Sequence, residues 1–214
     1  MGRFEGKPVF RQLILIAVLL ALPCGKAAAQ EAIGTVSRIQ GEASGLLRGT
    51  TRPLGANASV FLDEVLSTGE AARLEVTFTD TTRLTLGEKA TLTLGTYVFN
   101  PGARRRTIRF ALVGAVRFVS GQLSKLMISR VNLTTPVANV GIRGTDFFAG
   151  PIDDQALGVL LIEGAVSVSN PAGQRLLNRP GQGTNIAAPG APPGPVTVWP
   201  QPKVNRALAA VTFQ

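Results

Sequence analysis

Residues 135–150 of this chain, TPVANVGIRGTDFFAG, set a cation, a hydroxyl and an acid inside an otherwise apolar run. Arg143, Gly144, Thr145 and Asp146 interrupt the segment that begins at Val137, and Phe147 and Phe148 restore it at once. Such a group could be a reaction centre, a ligand site or a structural latch. Catalytic partners for it are scarce. The chain has no histidine, which removes Ser-His-Asp and Cys-His catalysis and the common zinc sites. Its 13 acids are scattered, and only Asp63-Glu64 and Asp153-Asp154 are adjacent. Neighbouring residues on a strand point to opposite faces, so neither pair is a ready acid/base couple unless a turn re-aims it. No phosphate-binding loop is present, and GQGTN (181–185) lacks the helix a dinucleotide site needs. No cofactor or metal is implied, and a non-enzymatic chain is expected.

A second charged stretch, PGARRRTIRFALVGAVRF (101–118), carries Arg117 near its end and, before it, Arg104, Arg105, Arg106 and Arg109. The latter four are candidates for an anion-binding stripe. The alternative is a charged approach to an edge strand, where cations discourage sheet-to-sheet aggregation.

The elements that must position these groups are short strands. ARLEVTF (72–78) alternates Leu74, Val76 and Phe78 with Arg73, Glu75 and Thr77, as a half-buried strand does. RLTLG (83–87) and TLTLG (91–95) repeat the alternation. GTVSRIQG (34–41), GAVRFVSG (114–121) and GAVSVSN (164–170) share Gly-x-Val followed by alternation, so glycines mark the corners of successive strands. No segment of this span keeps a helical period for three turns. The expected fold class is all-β, with glycine-punctuated strands in a β-roll, a solenoid-like coil or a sandwich.

Both ends differ from this middle. Residues 1–29 combine Arg3, Lys7 and Arg11 with the apolar run Leu13 to Leu22 and then Ala27-Ala28-Ala29, the pattern of a secretory signal peptide. That run is far shorter than the roughly 20 residues that span a bilayer. Cleavage there removes Cys24, the one cysteine, and leaves neither disulfide nor thiol chemistry. The expected location is periplasmic or secreted, with residues 30–188 forming the β domain. Residues 189–214 make a proline-rich tail in which Val204, Leu208 and Val211 share one face of a short helix. With 22 Lys and Arg against 13 Asp and Glu, anionic neighbours are favoured over nucleic acid, which is scarce outside the cytoplasm.

The order of GTVSRIQGEA, LSTGEAARLEVTFTDTTRLTLG, GAVRFVSG, TPVANVGIRGTDFFAG, LIEGAVSVSN and PGQGTNI resembles the FecR-domain family over about residues 33–187. The resemblance is carried by Thr135 and Pro136 leading into Gly141, Arg143, Gly144, Thr145, Asp146 and Phe147. It implies an extracytoplasmic all-β domain, of the kind that senses an outer-membrane receptor behind a cytoplasmic anti-sigma segment and a membrane span. Too few residues precede the hydrophobic run for that segment, and TDTTRLTLG stands where the family usually has Asp-Gly before Ser or Thr. The expected function is therefore a binding module for an envelope protein or acidic glycan. A signalling accessory and a carboxylate-dependent glycan-active enzyme are the alternatives.

In the motif itself, Gly141 and Gly144 are expected to turn the backbone at both ends of a short step. The five donors of Arg143 suit carbonyls left unpaired by a turning strand, or Asp146. Thr145 suits a local backbone bond. Contact between Arg143 and a ligand is the other reading.

Overall fold

The computed structural model describes residues 1–2, 30–100, 102, 105–121 and 128–214. The signal-peptide segment, Cys24 and Arg104 lie outside these residues, as do the side chains of Arg105 and Arg106.

The described strands are β1 (Ala32–Gln40), β2 (Ala43–Leu47), β3 (Thr50–Pro53), β4 (Ser59–Phe61), β5 (Val65–Thr68), β6 (Arg73–Phe78), β7 (Arg83–Leu86) and β8 (Thr91–Asn100). They continue with β9 (Arg105–Val113), β10 (Val116–Val119), β11 (Ile128–Thr134), β12 (Asn139–Ile152), β13 (Gln155–Asn170), β14 (Gly173–Leu177), β15 (Gln182–Ile186) and β16 (Thr197–Val198). One helix, α1 (Gln201–Ala209), follows. All sixteen strands belong to a single sheet, ordered β3-β2-β5-β8-β9-β11-β12-β10-β7-β6-β1-β4, from which β13 branches off β12 to carry β14, β15 and β16. The sheet curls into a half-barrel. The all-β class holds, and the arrangement is one curled sheet rather than two stacked ones.

Alternation explains the curl. Leu74, Val76 and Phe78 of β6, Leu84 and Leu86 of β7, and Phe118 of β10 are all buried in one cluster. Burying a side chain of this size is worth about 1.5–3 kcal/mol, so register is firmly set wherever such a face meets the core.

The ends of the strand order are clipped together by side chains. Arg52 of β3 donates to the Ser59 carbonyl of β4 and, through Nε and Nη2, to Glu64 Oε1 at 3.1 and 2.8 Å. Glu64 Oε2 accepts from the Phe61 amide at 3.0 Å. Glu64 is fully buried while Asp63 is exposed, so this adjacent pair of acids does face two ways. Asp153 and Asp154 instead form the tight turn between β12 and β13, with φ of 50° and 61°.

At 147–149 and 157–161 the long strands β12 and β13 are buried on both faces, and the sequence runs almost continuously apolar there. The second face belongs to a smaller cluster of Phe148, Ile152 and Leu160 with Trp199, Ala207 and Val211 of the tail. The proline-rich stretch runs back along the sheet. Gly194 N–H donates to the Asn185 carbonyl at 2.9 Å, and the Trp199 amide donates to the Gly181 carbonyl at 2.9 Å. Trp199 needs Gly183 beneath it, because a Cβ there would lie 2.3 Å from the indole. Pro200 and Pro202 open α1, where missing N–H groups cost nothing. Its buried position is Ala207, with Val204 and Leu208 only partly covered, and Val211 in the turn after the helix is buried as well. Among the described residues, no helix is long and apolar enough to cross a membrane.

Candidate functional site

Thr135 and Pro136 make the turn that launches β12. The Thr135 amide donates to the Ala138 carbonyl at 2.8 Å, and Thr135 Oγ1 accepts from the Ala138 amide at 3.0 Å. Proline fixes φ inside such a turn and removes a donor that would have no partner. The strand then pairs Asn139–Ile142 with β11 on one edge. After a gap of three residues the same edge pairs Asp146–Ala149 with β10. The Arg143–Thr145 step is where β12 changes neighbours, which is why polar residues interrupt an apolar strand.

The change of neighbour is made by a pair of facing glycines. Gly144 has φ 59°, Gly164 of β13 has φ 87°, and the β12–β13 register shifts between Arg143 and Asp146. A Cβ at Gly164 would lie 2.3 Å from the Gly144 carbonyl oxygen. Gly141 does not contribute to this corner. It pairs regularly with Asn132 and Ser167, and a Cβ there would meet nothing closer than 3.8 Å.

Charge at the corner is carried by the last arginine of the basic run, which the sequence did not assign to it. Arg117 of β10 donates through Nε and Nη2 to Asp146 Oδ1 and Oδ2 at 3.0 and 2.7 Å. These hydrogen bonds raise the Arg117 guanidinium above its ordinary pKa, against a smaller opposing effect of burial. Arg143 is exposed and, among the described residues, makes no hydrogen bond or ion pair. The latch expected at Arg143 is therefore Arg117. The register of β12 shifts between Arg143 and Asp146, and Asp146 meets Arg117 of β10 instead.

Thr145 also departs from expectation. Its amide donates to Ser120 Oγ at 3.2 Å and its carbonyl accepts from the Ser120 amide at 2.9 Å. Its hydroxyl is buried without a partner, while its methyl packs under Gly164. Phe147 is fully buried beside Phe118, ring centroids 5.7 Å apart. Of the basic run, Arg109 is exposed on β9, and Arg105 and Arg106 belong to the same strand. β9 lies between β8 and β11 over this stretch, so it is an interior strand and edge protection does not explain the cations.

The remaining buried charges are structural. Asp80 accepts from the Thr82 amide and hydroxyl at 3.1 and 2.9 Å, bracing its own turn. Arg73 donates to the Ala72 carbonyl and, at 3.5 Å, to the Ala209 carbonyl at the end of α1, where the helix dipole favours a cation. Among the described residues, no cluster of three or more histidine, cysteine or acidic side chains is placed to hold a metal. The roles missed in the sequence are those of Arg52 and Arg117, which sit at ordinary outward positions of alternating strands. Only their cross-strand partners distinguish them.

Two crystal structures of a candidate anti-sigma factor from Parabacteroides distasonis are similar to this chain, each at 18% identity over 67% of it, with TM-scores of 0.51 and 0.50. This chain covers 63% and 64% of theirs, under two thirds of their length, and at such identity the likeness is one of fold. No curated protein matches the chain in sequence. The family model described as FecR protein matches residues 64–167, from the Glu64 clip through the glycine corner into β13, and the chain carries a FecR domain.

Proposed function

We propose that this chain is a non-enzymatic module of the bacterial cell envelope, periplasmic or secreted once residues 1–29 are removed, which contacts another envelope component in cell-surface signalling. The observation that carries this reading is the FecR match over residues 64–167, laid on a continuous sheet. FecR domains belong to regulatory proteins, which argues for a role through contact rather than turnover. The buried acids support it, because each is already committed to structure: Glu64 to Arg52 and the Phe61 amide, Asp80 to Thr82. A carboxylate held in this way is a poor proton carrier.

The test has two arms. Crosslinking in intact cells, followed by purification of the tagged chain, should recover one reproducible envelope component. A deletion strain should differ from its parent in transcript profile under iron limitation or envelope stress. Recovery of nothing, together with matching profiles, would sink the proposal.

A further inference from the structure

Five strands carry one lateral row on the face turned away from the main core. Register aligns Arg109 of β9 with Asn132 of β11, and Asn132 with Gly141 of β12. It continues from Gly141 to Ser167 of β13 and from Ser167 to Leu176 of β14. Arg143 stands two residues along β12 from Gly141, hence on the same face, opposite Ala165. The β11–β14 part of the row floors a shallow depression of about 470 Å³ lined by Asn132, Gly141, Arg143, Ala165, Ser167 and Leu176.

Among the described residues, the two arginines of this face have no internal use. Where the fold needs an arginine, it pairs it: Arg52 with Glu64, Arg117 with Asp146, Arg206 with Asp153. Arg109 and Arg143 are exposed, and among the described residues neither has a partner. Glu163, the acid next along β13, lies beyond Gly164 and stands opposite Asp146 rather than Arg143. Around the two guanidinium groups are the amide of Asn132 and the hydroxyl of Ser167, which accepts from Gln174 Nε2 at 2.8 Å and keeps its own proton to donate.

We infer that this face binds an acidic polysaccharide, with Arg109 and Arg143 holding its anionic groups and Asn132 and Ser167 its hydroxyls. Amide, hydroxyl and guanidinium groups together match a sugar acid in donors and acceptors. The row carries no aromatic side chain, and Leu176 is its one exposed large apolar residue, too little for the desolvated anchor cluster of a protein interface. Strand spacing of about 4.8 Å and a rise of about 3.4 Å per residue place the two arginines about 12 Å apart at Cα. A polymer with repeating acidic groups meets both, whereas a single sugar meets one. The inference rests on the binding-module reading above and names its ligand class.

The experiment is calorimetric titration of the mature chain with alginate and polygalacturonate, beside neutral dextran and monomeric glucuronate. Both acidic polymers should bind, more weakly as salt rises, and dextran and the monomer should not. Arg109→Ala with Arg143→Ala should weaken polymer binding at least about tenfold and leave the melting curve unchanged. Should that double variant lose its transition, R109Q/R143Q reads the same loss. Arg83→Ala removes one exposed cation from β7, away from the row, and should bind as the parent does. Absent binding by the parent, unchanged binding by the double variant, or an equal loss in Arg83→Ala overturns the inference. A failed titration beside a recovered envelope crosslink discards the glycan and keeps the module; failure of both discards both.

Discussion

Arg117 and Asp146 meet in a two-pronged ion pair that joins β10 to β12 where β12 changes neighbours, Nη2 to Oδ2 at 2.7 Å. The pair is unequal, since the Asp146 side chain is 14% exposed and that of Arg117 37%. Arg117→Ala strands a mostly buried carboxylate, at a cost of about 1–3 kcal/mol, and should lower the melting midpoint by roughly 2–4 °C per kcal/mol. Arg117→Lys should recover little, because one ammonium cannot replace the planar fork. Arg143→Ala should change stability by less than about 0.5 kcal/mol. Equal losses for Arg117→Ala and Arg143→Ala in melting curves would contradict the assignment.

Arg52 and Glu64 hold the two ends of the sheet together. Arg52→Ala leaves a fully buried carboxylate without its cation, and should cost about 3–5 kcal/mol. The double variant Arg52→Met with Glu64→Leu should be far less damaging, because it removes the stranded charge as well. Chemical denaturation of the three proteins measures this. A double variant no better than Arg52→Ala would show that geometry, not charge, closes the sheet.

Gly164 should tolerate no side chain. Gly164→Ala combines a positive φ with a Cβ 2.3 Å from the Gly144 carbonyl, so a loss of about 3 kcal/mol or more is expected. Gly49→Ala, at φ 81° with open space around it, should lose only about 1–2 kcal/mol. Similar melting points for the two variants would show that the facing backbone at the corner can move.

Docking of the tail should depend on pH at the acid end. Arg206, then Lys203, hold the Asp153 carboxyl below its usual range. A lowered pKa in the folded state means stability present above the ordinary carboxylate value and lost as pH falls through the lowered one. Acidification should therefore loosen α1 from the β12–β13 turn. Trp199, the single tryptophan, is buried and reports the change as a red shift of its emission. Asp153→Asn should remove the acid-dependent step, and a step that persists in this variant would place its origin elsewhere.

Tyr97, the single tyrosine, should ionise late. Burial pushes its phenol up to about 12, against a hydrogen bond with Thr79 that pulls the other way. Phenolate absorbance should rise near pH 12 in the native protein and near 10 after unfolding. A raised pKa in the folded state means a contribution complete below pH 10 and lost as pH climbs toward 12. Coincident native and unfolded titrations would show that the ring is not held by its stack on Phe78 and the hydrogen bonds of its hydroxyl with Thr79 and the Asp80 amide.

The class of fold was legible because alternation is a local property. Leu74, Val76 and Phe78 declare their buried face without reference to any other strand, and Gly144 and Gly164 stand where alternation fails. Thr135-Pro136 and the helical tail are local signals too. Which groups meet was not legible. Asp146 has Arg143 three residues away and takes Arg117, 29 residues away, because strand order and a bulge choose the partner. Arg52 and Glu64 are twelve residues apart, yet their pairing closes the two ends of the strand order. The apolar run of β13 is buried on both faces, and nothing local to it names the tail that covers the second one. The row from Arg109 to Leu176 exists only in register, where a slip of one residue would turn its side chains to the other face of the sheet. Sequence fixes the period of a strand; cross-strand hydrogen bonding, summed over the whole sheet, decides which periods align.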